Sequence, residues 1–189
     1  ILSSLPSVVV GLFGYLIFVV QFEYGFSIIS GALALTVFNL PQMTRNVEDS
    51  LRHVHHTQRE AGLALGISRW ETVLHVVIPE ALPSIVTGIV LASGRIFGEA
   101  AALIYTAGQS APALDWSNWN IFSVTSPISI FRQAETLAVH IWKVNSEGTI
   151  PDGTAVSAGS AAVLLIFILI FNLGARKLGS YLHKKLTSA

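Results

Sequence analysis

The 189-residue sequence contains no cysteine. That absence excludes a disulfide framework, thiolate zinc sites, iron–sulfur clusters and cysteine nucleophiles, and it leaves the redox compartment undetermined. Charge is almost as scarce: charged residues make up 12% of the chain, against about 25% in soluble domains. Eleven Lys and Arg balance eleven Asp and Glu, so no basic footprint points to a nucleic-acid partner. No HExxH pair is present, and no GxxxxGK[ST] loop that could cradle nucleotide phosphates. Any energy from ATP must therefore come from a partner. The only Met is Met43, and the chain opens at Ile1 inside an apolar run with no charged segment before it. A signal peptide is not supported, and the expectation is that an N-terminal part of the protein precedes Ile1.

What fills the chain is apolar: 52% of residues are hydrophobic and the mean hydropathy is +0.62. A bilayer core of about 30 Å requires roughly 20 helical residues. Four stretches approach that length, at residues 1–20, 26–43, 81–107 and 155–174. The connections between them differ in charge. Arg45, Arg52, Arg59 and Arg69 lie in the 44–80 connection, and Arg176, Lys177, Lys184 and Lys185 follow the last stretch, making eight of the eleven cations. The 108–154 connection carries only Arg132 and Lys143 among Asp115, Glu135, Glu147 and Asp152, and the Gln21–Gly25 link carries only Glu23. By the positive-inside rule the 44–80 connection and the C-terminus are expected to be cytoplasmic, and the other two to face outward. Four spans satisfy that arrangement.

The 44–80 connection reads as two short helices. Gly66 supplies a left-handed stop, Ser68 an N-cap, and Glu71 three residues later completes a capping box. Pro79 is expected to end the second helix, with Pro83 near the start of the third span. A solvated amphipathic linker would give the same pattern. Within it, Glu60-Ala61-Gly62, then Gly66, then Val76-Val77-Ile78-Pro79 resembles the EAA loop of ABC importer permeases, EAA-x3-G-x9-I-x-LP. Gly62, Val76 and Ile78 are departures from that form. Further likenesses are Leu5-Pro6-Ser7-Val8-Val9-Val10-Gly11-Leu12-Phe13-Gly14 and Leu91-Ala92-Ser93-Gly94-Arg95-Ile96-Phe97-Gly98-Glu99-Ala100-Ala101. Together with Thr106-Ala107-Gly108 and the long outer loop holding Pro127, Gln133 and Ala134, they are similar to the PstA-type permeases of phosphate importers, within the binding-protein-dependent transport permeases.

The resemblance implies an all-α, polytopic permease of the MetI-like fold, forming one transmembrane domain in the inner membrane. It implies a sibling permease subunit, a dimer of cytoplasmic ATPases, an extracytoplasmic phosphate-binding protein, and phosphate as substrate. Glu60, Ala61, Gly62, Gly66, Val76, Ile78 and Pro79 would couple the chain to its ATPase. Members of the family normally have six spans, so two are expected to be missing here. No cofactor, metal or catalytic residue is expected, and the chain is expected to be no enzyme.

Arg95 and Glu99, four residues apart, are expected on one face of the third span. A charge at membrane depth costs about 2.5 to 3.5 kcal/mol on insertion scales, so its default reading is functional. Arg95 would offer charge-assisted contacts to an oxyanion, and Glu99 would keep the site from holding it too tightly. The competing reading is an ion pair that holds helices together. Gly94 and Gly98 are expected to let another helix approach. His53, His55, His56 and Glu60 could line a metal site, but a helix facing a partner or headgroups explains them better. Trp116, Trp119, Trp142, Phe122 and Phe131 fit a docking surface or an interfacial belt equally, and 128–142 fits an interfacial element. Rival functions are a permease for sulfate, molybdate or phosphonate, an intramembrane enzyme, and a passive channel or scaffold. The enzyme lacks a nucleophile or metal set, and a channel has no use for the EAA-like hairpin.

Overall fold

A computed structural model describes residues 6–148 and 151–187, apart from the side chains of 178 and 182–187. Ile1 to Leu5 of the expected first span, residues 149–150 of the outer loop and the Lys184 and Lys185 side chains lie outside the described residues. Seven helices, and no strand, occur among those described. Helix α1 is Ser7–Gln21, in which Tyr15–Gln21 is wound as a π-helix. Helix α2 is Ile28–Arg52, α3 His56–Ala64, α4 Arg69–Phe97, α5 Ala101–Thr106, α6 Leu137–Glu147 and α7 Gly153–Thr187.

Two of these helices, Arg69–Phe97 and Gly153–Tyr181 within α7, are long and apolar enough to cross a membrane by length and composition, and Ser7–Gln21 is a shorter apolar helix. Helix α2 has the length, at 25 residues. Its apolar run is cut by Asn39, Pro41 and Gln42 before the charged residues begin at Arg45.

Two expectations are corrected. Pro79 does not end a helix: α4 runs through both Pro79 and Pro83. The reason is the π-helical stretch Val73–Val77 directly before it. A proline ring clashes with the carbonyl four residues earlier, and widening the turn there gives it room. The third apolar stretch, 81–107, is not one helix either. It stops at Phe97 and restarts at Ala101, with Gly98 and Glu99 donating back to the carbonyls of Arg95 and Ile96 at 3.1 and 3.0 Å to close the end.

The chain divides into two compact units, Ile1–Leu40 with Arg95–Ile168, and Pro41–Gly94 with Leu169–Ala189. In the first, α1 packs on α5 through residues with almost no side chain. A Cβ on Gly11 would lie 2.9 Å from Ala102 Cα, and one on Gly14 would lie 2.8 Å from Ala34 Cβ and 2.9 Å from Thr106 Cγ2. Gly31 meets Ala107 in the same manner, at 2.9 Å. Small residues let membrane helices approach closely and gain dispersion contacts where no hydrophobic drive separates them from lipid. The loop before α6 caps this cluster. The first N–H groups of α2, which no helical carbonyl can accept, are taken by loop carbonyls: Ile28 by Arg132 and Ile29 by Ile130, both at 2.9 Å. Ser27 and Ser30, fully buried, close the corner with hydroxyls 2.9 Å apart. In the second unit, Val54, Val77 and Ala81 form the buried core, with Leu51 and Ile85 against it.

Candidate functional site

The turn between α3 and α4 takes the form the sequence leads one to expect. Helix α3 closes with bonds from Leu65 to Ala61 and from Gly66 to Leu63, at 3.1 and 3.0 Å. Gly66 then adopts φ +78°, the left-handed conformation that costs a side-chain-bearing residue most. Ser68 caps α4: its hydroxyl accepts from the Glu71 N–H at 3.2 Å, and the Glu71 carboxylate accepts from the Ser68 N–H at 2.9 Å. The Ser68 hydroxyl first, and its N–H second, hold the Glu71 carboxyl below the ordinary carboxylate value.

Gly62 has a positive reason for being glycine. It is buried, and a Cβ there would lie 2.8 Å from Thr72 Cγ2 and 3.1 Å from its Oγ1. The two helices of the hairpin meet at this point. Thr72 is itself held by its hydroxyl donating to the Ser68 carbonyl at 3.0 Å. The departure from the EAA form at Gly62 is thus compensated by a threonine ten residues on, a pairing that spacing alone does not reveal. Arg59, which the sequence pattern did not single out, donates to the Leu51 carbonyl at 2.5 Å. It covers the last turn of α2, where a cation is favoured.

The outward face of the hairpin is polar at one end and apolar at the other. Glu60 and Ala61 are exposed, and His56 pairs with Glu60 at 3.1 Å. Leu65 and Trp70 are 82% and 69% exposed, and Leu63 with Thr72 and Val73 lines a cavity of about 300 Å³. Large exposed apolar side chains around a turn are what a partner surface would cover. Val76, Ile78 and Pro79 are half-buried in α4, and it is Val77 that enters the core. Among the described residues no three His, Asp or Glu side chains come together to hold a metal ion.

Arg95 and Glu99 do not share a helical face, because Glu99 lies in the break between α4 and α5. Arg95 ends α4, exposed, with its guanidinium carbon 5.6 Å from the centre of the buried Phe38 ring. That ring face attracts a cation and helps to fix the side chain. Glu99 is half-buried. Gly94 does serve a helix contact, with Asn172 of α7 at 3.3 Å from a Cβ position, whereas Gly98 belongs to the break and meets only its own backbone.

Outside these groups the segment between α5 and α7 is more structured than its polarity implies. Trp116, Trp119 and Phe122 are 70%, 63% and 78% exposed, on a loop closed by a bond from Asp115 to the Thr125 carbonyl at 2.9 Å. Ser117 donates its hydroxyl and N–H to the Asp115 carboxylate at 2.6 and 2.9 Å and keeps its pKa low. Glu135, almost buried, bonds His140 at 2.8 Å and approaches Lys143 at 4.0 Å. The spacing Glu-x4-His-x2-Lys was the available signal for that cluster, since it sets His140 and Lys143 one turn apart on α6.

Comparison with known proteins follows the same lines. The chain is 60% identical over 188 residues to a probable ABC transporter permease protein, YqgI, of Bacillus subtilis, covering 100% of this chain and 64% of that protein. It is 37% identical over 179 residues to the phosphate transport system permease protein PstA of Xylella fastidiosa, covering 94% and 57%. To PstA of Haemophilus influenzae it is 33% identical over 185 residues, covering 98% and 60%. The chain thus spans roughly three fifths of the length of these relatives. No solved structure matches it. The family described as the binding-protein-dependent transport system inner membrane component matches residues 1–188, and the chain belongs to that family.

Proposed function

We propose that this chain is the membrane-spanning permease subunit of an ATP-driven phosphate importer. It forms the translocation path with a sibling permease, receives phosphate from an extracytoplasmic binding protein, and docks a cytoplasmic ATPase on the hairpin from Glu60 to Pro79. Four spans cross the bilayer, at α1, α2, α4 and α7, with the hairpin and the C-terminus in the cytoplasm. The observation that carries the reading is the hairpin itself: a left-handed glycine and a complete capping box present Leu65 and Trp70 to the outside. A solvated linker has no reason to hold two large apolar side chains exposed on a rigid turn. Phosphate as substrate draws on the PstA relatives.

Transport follows from a rigid link and an exposed cation. Closure of the ATPase pair would displace α3, and the Gly62–Thr72 contact would pass that displacement to α4. Helix α4 runs on from that contact into the apolar stretch, so the displacement would enter a spanning helix at its start. The Arg95 guanidinium offers forked donors to the oxygens of a tetrahedral anion. Glu99 in the adjacent break would limit how long the anion stays.

Uptake of labelled phosphate, with sulfate as competitor, tests this in cells whose own copy is replaced by the full-length protein or its Arg95→Gln variant. Phosphate uptake that depends on the protein, ignores sulfate and falls at least about tenfold in the variant at equal membrane levels is the expected result, as for loss of one hydrogen bond to a charged group. Uptake competed by sulfate would move the substrate to another oxyanion. Normal uptake by Arg95→Gln would return Arg95 to a structural role at the end of α4.

A further inference from the structure

Between α4 and α7 lies a second cavity, of about 460 Å³, lined by Pro83, Val86, Thr87 and Val90 on one side and by Arg176, Gly179 and Ser180 on the other. We propose that it binds the headgroup of an anionic phospholipid bearing free hydroxyls, of the phosphatidylglycerol type. The proposal rests on membrane insertion of the two helices and not on the nature of the transported substrate.

Three features of the cavity select that ligand. First, it sits where both helices pass from polar to apolar sequence. On α4 no charge follows Glu80 until Arg95, and an apolar run begins at Ile85; on α7 the run ends at Gly174, and Arg176 and Lys177 follow. A site at that boundary is at headgroup depth, and basic pockets between spanning helices are where acidic headgroups lodge. Second, Leu169, Leu173, Arg176 and Ser180 recur at the four-, three- and four-residue spacing of one helical face. Leu169 and Leu173 are 59% and 60% exposed, so an apolar track for an acyl chain runs along α7 straight into the arginine. A free anion would have no use for that track.

Third, the hydroxyls in the cavity have already spent their protons. Thr87 donates to the Pro83 carbonyl at 2.8 Å and Ser180 to the Arg176 carbonyl at 2.8 Å. Each therefore presents only lone pairs, which call for donors on the ligand. A phosphodiester alone brings none, whereas a glycerol headgroup brings two hydroxyls beside its phosphate. Arg176 takes the phosphodiester and Thr87 and Ser180 take the glycerol. Gly179 forms the floor, since a Cβ there would come within 3.1 Å of Val86 Cγ1 and close the space.

The test is native mass spectrometry of the purified full-length transporter, delipidated and titrated with phosphatidylglycerol, with phosphatidylmethanol, which keeps the charge but lacks the hydroxyls, and with phosphatidylethanolamine. Phosphatidylglycerol is expected to bind most tightly. Arg176→Gln should weaken it about fivefold, the loss of one basic residue at a membrane surface. The paired Thr87→Val, Ser180→Ala variant should bring phosphatidylglycerol down to the affinity of phosphatidylmethanol and leave the latter unchanged. That pair keeps every charge and serves if Arg176→Gln fails to accumulate. Equal binding of the three lipids, binding unaffected by the substitutions, displacement of lipid by inorganic phosphate, or no lipid at all because protein covers the cavity would each overturn the assignment.

Discussion

The two compact units are held together by opposite means. In the first, glycines and alanines bring backbones into contact, and Gly11, Gly14 and Gly31 leave no room for even a methyl group. In the second, the hairpin is set by hydrogen bonds and conformation, with a left-handed Gly66 and a reciprocal Ser68–Glu71 cap, and its large apolar side chains point outward. Close packing of small residues makes a cluster that is stiff and intolerant of volume. A capped turn with exposed leucine and tryptophan makes a firm projection whose remaining contacts must come from elsewhere.

If that contrast is right, the largest loss should come from adding volume to the first unit. Gly14→Leu should cost about 3 kcal/mol or more, as in an overpacked core, read as a large drop in thermal stability in detergent. Gly159→Leu on α7, where a Cβ meets nothing within 4 Å, should leave it nearly unchanged. Both positions lie in the first unit, so equal losses would show that the close contact at Gly14 is not what makes added volume costly. The next effect belongs to the single place where the hairpin is also tight. Gly62→Ala should cost about 1 to 2 kcal/mol by overpacking and make the hairpin more open to proteolysis. Adding Thr72→Ser, which removes the offending Cγ2, should restore most of it; failure to do so would place the strain elsewhere.

At Gly66 nothing lies within 4 Å of an added Cβ, so only backbone conformation is at stake. Gly66→Ala should destabilise the turn by about 1 kcal/mol, and Gly66→Asn, which tolerates the left-handed region, by less. If Gly66→Asn folds and inserts normally yet loses transport, the space in front of the turn is needed by a partner; normal transport would argue against docking there. The smallest effect concerns pH. The carboxyl of Glu71 has a folded pKa below its ordinary value, so its contribution to the hairpin is complete above the unfolded value and disappears as pH falls through the folded one. Amide exchange of the Arg69 to Thr72 turn should therefore quicken in that acidic window, and Glu71→Gln should abolish the pH dependence. Because Glu71 is exposed, the change should be slight.

Legibility followed the range of the interaction. The Gly66–Ser68–Glu71 turn was readable because each of its bonds joins residues within one helical turn. The last helix was readable because an uninterrupted apolar run allows few alternatives. The stop expected at Pro79 was wrong for a reason local rules omit: a π turn upstream absorbed the ring. The third stretch looked continuous in hydropathy, yet it breaks at Gly98 to Ala100, which removes Glu99 from the face of Arg95. Hydropathy measures tolerance for lipid, and a break in the helix does not register in it. The Gly62–Thr72 contact, the bonds from loop carbonyls to the start of α2 and the Phe38 ring beneath Arg95 all join residues far apart in the chain, and no periodicity encodes them.

By itself the sequence determined that the chain is helical and apolar, that a turn separates two helices at Gly66, and that one arginine and one glutamate must be accommodated within a long apolar stretch. Those follow from composition, period and capping chemistry, which act over a few residues. Only the tertiary structure decided which glycines are packing surfaces, where α4 ends, and what Arg95 rests against. These depend on how closely distant backbones approach, and that distance is set by side-chain volumes from several helices at once.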